Sequence, residues 1–223
     1  QADDERTISV MVEEYRRPEF TVDVSDLKAT ESHIFGAAPP TVQVAANYYA
    51  GGPLDGASVD WHVTGRPGGF TPAGWSDYSF GPWGFLHSGG SVSGSSTGTT
   101  SVAGNAAIQI CMSKMKIPQA VSFEVEANVR DINRQCFAGK TTVLVHPSTR
   151  YAGLKCDQSF IKAGESVSVN AICTNVDGKA IAGVVKLQTA KLTWNEKKWL
   201  WTESDIHEQT VESGRAPADV SLK

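Results

Sequence analysis

The 223-residue sequence lacks the features that assign a protein to a membrane or to nucleic acid. No apolar run approaches the roughly 20 residues that a membrane-spanning helix requires, so we expect no direct membrane insertion. Acidic residues outnumber basic residues by 24 to 20, and the formal net charge is -4 with no block of lysine or arginine. Because a nucleic-acid partner requires a basic patch, we expect no such partner.

Motifs with known chemistry are scarce as well. No cysteine pair has the C-x-x-C spacing of a zinc or redox site, and the histidines stand too far apart for metal-ligand spacing. A stretch rich in glycine and serine, residues 89–98, is predicted to be too flexible to hold a serine hydroxyl in attack geometry. We therefore expect no catalytic residue, no metal and no cofactor, and predict that the chain is not an enzyme.

Cysteine is rare, with only Cys111, Cys136, Cys156 and Cys173. The midpoint between Cys156 and Cys173 falls beside Ala163-Gly164, where a hairpin would turn. In an antiparallel pair, that register sets the two sulfurs opposite each other. Cys111 and Cys136 remain as a second pair. Two disulfides would indicate an oxidising compartment, which predicts a periplasmic or extracellular protein. The alternative is four reduced, buried thiols in a cytosolic protein.

Helical periodicity is also lacking, and period-two alternation takes its place. From Val121 to Arg130, valine, phenylalanine and alanine alternate with polar side chains. One-sided alternation of this kind is typical of antiparallel sheets that bury one face in a sandwich. The sequence therefore predicts an all-β protein of two tandem antiparallel β-sandwiches with immunoglobulin-like or fibronectin-III-like architecture. Further strands are predicted around residues 7–12, 20–24, 41–49, 59–64, 106–112, 141–146, 154–156, 167–174, 183–192 and 199–203.

The two sets of strands meet at His146-Pro147. We predict a first sandwich over residues 17–147. A second sandwich is predicted over residues 148–223; it is short, and its last strands are expected beyond Lys223. Residues 1–16 would be the terminal strand of a preceding domain or an N-terminal arm.

One hairpin of the second sandwich is predicted from its tryptophans. Trp194 and Trp199 flank four residues that suit a hairpin loop. The two indoles are then expected to pair across the strands, with Leu192 and Trp201 as the next pair.

A long segment rich in glycine, serine and aromatic residues, 65–104, interrupts the first sandwich and is predicted to be a surface loop. Exposed aromatic rings on a sandwich could stack on sugars or form hot spots for a protein partner. We favour the interpretation that the loop folds back and its rings cover a sandwich, because six exposed rings would form a costly apolar patch. The six are Phe70, Trp75, Tyr78, Phe80, Trp83 and Phe85.

Several segments resemble the bacterial alpha-macroglobulins, and together they cover nearly the whole chain. Residues 12–20, which include Tyr15-Arg16-Arg17-Pro18-Glu19-Phe20, are similar to a junction between two consecutive domains of that family. Residues 48–57, 59–61, 70–81, 146–147, 151–154 and 174–183 continue the resemblance in order. It implies two consecutive macroglobulin-like β-sandwiches from a large secreted or periplasmic protein that traps proteases.

The resemblance also implies a role for the chain. In the family, cleavage of a bait segment triggers collapse around the protease, and in many members a Cys–Gln thioester acylates it. No C-x-E-Q sequence occurs here, so the implied role is structural. The chain would be a scaffold whose partners are neighbouring domains of the parent and the proteases that the parent traps. Arg16, Arg17 and Glu19 are the candidates for fixing the angle between domains.

A second function of a different class is a cell-surface adhesin or carbohydrate-binding module that uses the aromatic residues of segment 70–85. Free aromatic rings would support this function, and rings packed against a sandwich would argue against it.

Overall fold

The structure, a computed structural model, describes residues 17–81, 91–112, 119–158, 160–162, 164–196 and 199–222. The described residues form strands and turns and no helix, so they contain no helix that could span a membrane. The predicted strand at 7–12 and the assignment of 1–16 lie outside these residues. The strands are β1 (Phe20–Asp26), β2 (His33–Ile34), β3 (Thr41–Tyr48), β4 (Ser58–Pro67), β5 (Ser79–Phe80), β6 (Val92–Thr99), β7 (Asn105–Gln109), β8 (Val121–Arg130), β9 (Cys136–His146), β10 (Arg150–Cys156), β11 (Val167–Asn175), β12 (Gly183–Asn195), β13 (Leu200–Ser213) and β14 (Ala218–Leu222).

The first sandwich packs a three-stranded sheet against a five-stranded sheet. The strand orders are β1-β3-β7 and β2-β9-β8-β4-β6, and all pairs are antiparallel except β2 with β9. Strict alternation explains this arrangement, because β8 buries every second side chain while its intervening residues face outward. The buried side chains of both sheets meet in one core of valine, isoleucine and phenylalanine.

The second sandwich is smaller and has less core of its own. Strands β14, β11 and β10 form one sheet, and the β12–β13 hairpin forms the other. Its buried cluster consists of Ala171, Cys173, Val185, Leu187 and Val220. The fourth strand of the β10 sheet is β5, which comes from the first sandwich. The predicted all-β sandwich fold is therefore confirmed, and the two sandwiches share a sheet.

Strand β6 is a correction to the sequence analysis, which placed residues 92–99 in a surface loop. All eight residues pair antiparallel with β4 and form the edge of the five-stranded sheet. The glycine at position 98 of this strand has a packing reason, because a Cβ there would lie 3.0 Å from the Trp61 ring. The Gly94–Gly98 stretch has the G-x-S-x-G pattern of a nucleophile elbow. It runs along a strand, whereas an elbow requires a sharp strand-to-helix turn.

The registers of two hairpins also differ from the predictions. Cys156 pairs with Val169, and Cys173 pairs with Ala152. The predicted opposition of Cys156 and Cys173 is therefore wrong. In the β12–β13 hairpin Trp194 pairs with Trp201 and Leu192 with Glu203, so each partner lies two residues further along β13 than predicted.

Candidate functional site

A loop of the first sandwich lies on the second, and it contains most of the aromatic residues that the sequence analysis singled out. We call residues 68–81 the aromatic loop. At its end, β5 pairs antiparallel with β10, joining Phe80 to Gly153 and Ser79 to Leu154. A strand contributed by one sandwich thus extends a sheet of the other, which fixes their relative orientation through backbone hydrogen bonds.

Gly153 makes room for the aromatic loop on β10. A Cβ at Gly153 would lie 2.5 Å from two atoms of the Phe80 ring, well inside contact distance. The absence of a side chain lets the ring lie directly over the strand. The Phe80 ring also lies 6.5 Å from the Tyr151 ring, nearly perpendicular to it.

The tip of the aromatic loop contacts the turn that follows β11. The Trp75 Nε1–H donates a 2.7 Å hydrogen bond to the Gly178 carbonyl. The Asn175 side chain holds that turn, since its Oδ1 accepts hydrogen bonds from the backbone N–H groups of Asp177 and Lys179. Gly178 has φ +84°, and a Cβ there would lie 2.1 Å from the Ala73 carbonyl oxygen. Only glycine combines this conformation with so close an approach.

Aromatic side chains from both sandwiches surround His146, the last residue of β9. The His146 ring lies 4.5 Å from the Phe70 ring, and its Nδ1 shares a 2.8 Å hydrogen bond with the Tyr151 hydroxyl. Burial lowers the pKa of His146, and the nearby His33 lowers it further. Burial raises the pKa of Tyr151 to about 12. Both side chains are therefore neutral near pH 7, as an apolar interface requires.

One ion pair completes the contact at the surface. Lys155 Nζ lies 2.9 Å from Asp77 Oδ2, and the hydrogen bond between them lowers the pKa of Asp77 and raises the pKa of Lys155. Because this ion pair is solvent-exposed, it adds little to the free energy of unfolding. Its main effect is to orient the aromatic loop.

Four of the six candidate aromatic residues therefore lie half-buried at the junction of the two sandwiches: Phe70, Trp75, Tyr78 and Phe80. Trp83 and Phe85 lie outside the described residues. A cavity of about 650 Å³ remains beside these rings, lined by Phe70, Phe80, Arg150 and Tyr151 among others. The arrangement is suited to holding two domains together.

Sequence reasoning missed the partners of the aromatic loop. Residues 177 and 178 were noted only as part of the 174–183 segment, and His146 only as a boundary residue. Gly153, Tyr151 and Lys155 gave no signal, because their roles depend on a loop that lies more than 70 positions earlier in the sequence.

The candidate junction residues lie at the far end of the first sandwich, against the turn between β8 and β9. The Gln135 side chain accepts a hydrogen bond from the Glu19 backbone N–H and donates one to the Arg17 carbonyl. Asn133 donates to the Glu19 carboxylate at 3.4 Å. These contacts fix the path of the chain as it enters β1. Arg16 lies outside the described residues.

The predicted disulfides do not form: Cys111, Cys136, Cys156 and Cys173 are all free thiols. Cys156 and Cys173 are four register positions apart along β10. Cys136 is the first residue of β9. Cys111 lies near the other end of that strand, because it lines a cavity together with Phe35. The Phe35 N–H donates a hydrogen bond to the carbonyl of His146, the last residue of β9. Ten residues of strand span about 33 Å, far beyond disulfide reach. The cysteines therefore give no structural argument about the cellular compartment.

A buried pair of ionisable side chains lies in the first sandwich, outside the aromatic loop. His33 and Asp26 make a 2.6 Å contact, and both side chains are about nine-tenths buried. This pair joins β2 to β1 and ties the two sheets of the first sandwich together. Among the described residues, no group of three or more histidines, cysteines, aspartates or glutamates could hold a metal ion.

The chain is similar to known proteins in both sequence and fold. No family model matches the chain. It is 25% identical over 206 residues to an alpha-2-macroglobulin homolog of Nostoc sp., a match that covers 90% of this chain and 10% of that protein. A weaker match, 24% identical over 155 residues, is to the circularly permutated Ras protein 2 of Dictyostelium discoideum and covers 4% of that protein.

Solved structures of bacterial alpha-2-macroglobulins share the fold. Trypsin-activated alpha-2-macroglobulin of Escherichia coli superposes with a TM-score of 0.69 at 11% identity, over 93% of this chain and 15% of that chain. The Salmonella protein reacted with methylamine gives a TM-score of 0.62 at 14% identity, over 94% of this chain and 15% of that chain. The resemblance seen in the sequence is thus confirmed, and the chain spans about a tenth of the length of its Nostoc relative.

Proposed function

We propose that this chain, which is similar to a segment of the bacterial alpha-2-macroglobulins, is a structural scaffold of a secreted or periplasmic protease trap. The scaffold would position the bait and thioester domains of the longer protein, and this chain would contain neither the bait segment nor the thioester. Its partners would be neighbouring domains of that protein and, through them, the trapped proteases. The chain would have no enzymatic activity.

The observation that carries this proposal is the aromatic loop. Two sandwiches joined only by a short linker would move freely, because interfaces between domains are usually small and polar. Here a shared sheet, a tryptophan hydrogen bond to a turn and a buried aromatic cluster join them. Such a rigid unit is suited to holding neighbouring domains in a fixed orientation or to transmitting force between them.

The alternative, an adhesin or carbohydrate-binding module, would require free aromatic rings. The Trp75 indole N–H and the Phe70 and Phe80 rings are engaged by the second sandwich. A sugar ligand would have to displace these contacts.

The test uses the full-length protein that contains this chain. A trap encloses the protease, so large substrates are excluded while small peptides still diffuse to the active site. After incubation with trypsin, we expect cleavage of casein to fall at least tenfold and cleavage of a chromogenic dipeptide to persist. Equal cleavage of casein with and without the full-length protein would overturn the proposal.

A further inference from the structure

The β12–β13 hairpin carries an exposed aromatic surface that neither sandwich uses. Leu192, Trp194 and Trp201 are 37%, 40% and 38% exposed, and Trp199 in the turn is 81% exposed. The Trp194 ring lies 5.3 Å from the Trp201 ring and 6.1 Å from the Trp199 ring. We call these four residues the tryptophan face. Tryptophan is the side chain most enriched at the energetic centres of protein interfaces.

Strand parity shows that the tryptophan face does not belong to the core of its own sandwich. Val185 and Leu187 of β12 are buried against the β10 sheet. The register irregularity near Thr189 places two residues of β13, Asp205 and Ile206, opposite one residue of β12. The extra residue is in β13, so alternation continues unbroken along β12. Leu192 and Trp194 therefore lie on the opposite side of the sheet from Val185 and Leu187.

Cross-strand pairing assigns the rest of the hairpin. Trp201 pairs with Trp194 and shares its side of the sheet, with Glu203 beside it at the rim. The other side of this part of the hairpin consists of Lys191, Thr193, Asn195, Leu200, Thr202 and Ser204. Most of these are polar, so the hairpin has one face suited to a partner and one suited to solvent.

The size of the tryptophan face indicates what kind of partner it fits. Two strands of about five residues each, about 17 Å long and together about 10 Å wide, present roughly 170 Å². A stable complex between free proteins buries about 800 Å² on each partner. The face is therefore too small to hold a second copy or an unlinked protein. A tethered partner needs far less area, because a covalent link raises its effective concentration to about the millimolar range.

We propose that the tryptophan face docks against another domain of the same polypeptide, outside residues 1–223, which offers an apolar pocket for Trp194 and Trp201. This inference rests on the proposed function, in which the chain is a segment of a longer protein. The matched share of the Nostoc relative, 10% of its length, leaves ample sequence for such a domain. The structure thus assigns a second docking surface, separate from the aromatic loop.

The experiment compares two double variants of the full-length protein by hydrogen exchange and mass spectrometry. Trp194→Thr with Trp201→Thr removes the face and leaves a cross-strand threonine pair that suits a strand. Ile132→Thr with Val102→Thr is the matched control, because these apolar side chains are 89% and 81% exposed and lie in turns of the first sandwich.

We expect the tryptophan variant to raise exchange at least tenfold in the hairpin and in one or more peptides outside residues 1–223, which identifies the partner. The control should leave those outside peptides unchanged. Changes confined to residues 1–223, or no change, would overturn the inference. Because trypsin trapping is measured separately, a responding outside peptide in a protein that does not trap trypsin would refute only the proposed function.

Discussion

At the residue scale, glycine determines where the aromatic loop can approach the second sandwich. Gly178 meets two requirements together, a positive φ and a backbone contact with Ala73. Gly36 offers a natural comparison, because its φ of +85° is nearly the same and nothing lies within 4 Å of its Cβ position.

We expect Gly36→Ala to lower the free energy of unfolding by about 1 kcal/mol, the usual cost of a left-handed conformation in alanine. Gly178→Ala should cost about 3 kcal/mol, because the added methyl group must also displace the aromatic loop. Urea denaturation of both variants measures the difference. Equal costs would mean that the contact with Ala73 contributes nothing to stability.

His146 makes the junction sensitive to acid. Burial lowers the pKa of His146 in the folded protein, so the unfolded chain binds a proton first as the pH falls below about 6.5. The stability contributed by neutral His146 is complete above that pH and is lost as the pH falls toward the folded pKa. The groups that face the ring are the hydroxyl of Tyr151, the Phe70 ring, and His33 with its partner Asp26.

We expect the free energy of unfolding of the wild type to fall between pH 7.5 and pH 5.5 with a slope of up to about 1.4 kcal/mol per pH unit. His146→Gln should flatten this slope, whereas His62→Gln, at an exposed histidine on β4, should leave it unchanged. Denaturation across this pH range checks the expectation. An unchanged slope in His146→Gln would assign the pH dependence to other groups.

At the scale of elements, the strands that sequence alone predicts are those with a strong pattern of their own. Strand β8 alternates over ten residues, and its prediction matched the observed bounds. Strand β6 was missed because serine and glycine have low strand propensity, and its pairing with β4 overrides that propensity. Strand β5 has only two residues and pairs solely with the other sandwich, so no local signal could reveal it.

Hairpin registers were the least predictable feature. The pairing of Cys156 with Val169 centres the β10–β11 turn between residues 162 and 163, two positions before the midpoint of the two cysteines. A connection of ten residues does not fix its own register, unlike a two-residue turn. The disulfide prediction depended on that register and failed with it.

The pairing of β5 with β10 should depend on the bare backbone of Gly153. We expect Gly153→Ala to push the Phe80 ring aside and to raise hydrogen exchange at Ser79 and Phe80 at least tenfold. Gly214→Ala is the matched control, since nothing lies within 4 Å of its Cβ position and its φ is not positive. Exchange that is equally slow in both variants would show that β5 does not require the close approach.

At the scale of the whole molecule, the two sandwiches differ in how well they could stand alone. The first buries a large core between its two sheets, whereas the hydrophobic cluster of the second has only five buried residues and is supplemented by Phe80 and Tyr151 at the junction. Contacts across the junction therefore contribute a larger share of the stability of the second sandwich than of the first. This asymmetry supports the proposed role as one rigid scaffold unit.

The most direct test of that rigidity is a set of backbone residual dipolar couplings from the 223-residue chain in a weakly aligning medium. If the aromatic loop holds the sandwiches in one orientation, a single alignment tensor will fit the couplings of residues 17–147 and 148–222 together. Two tensors of clearly different magnitude would show independent motion of the sandwiches and contradict the account.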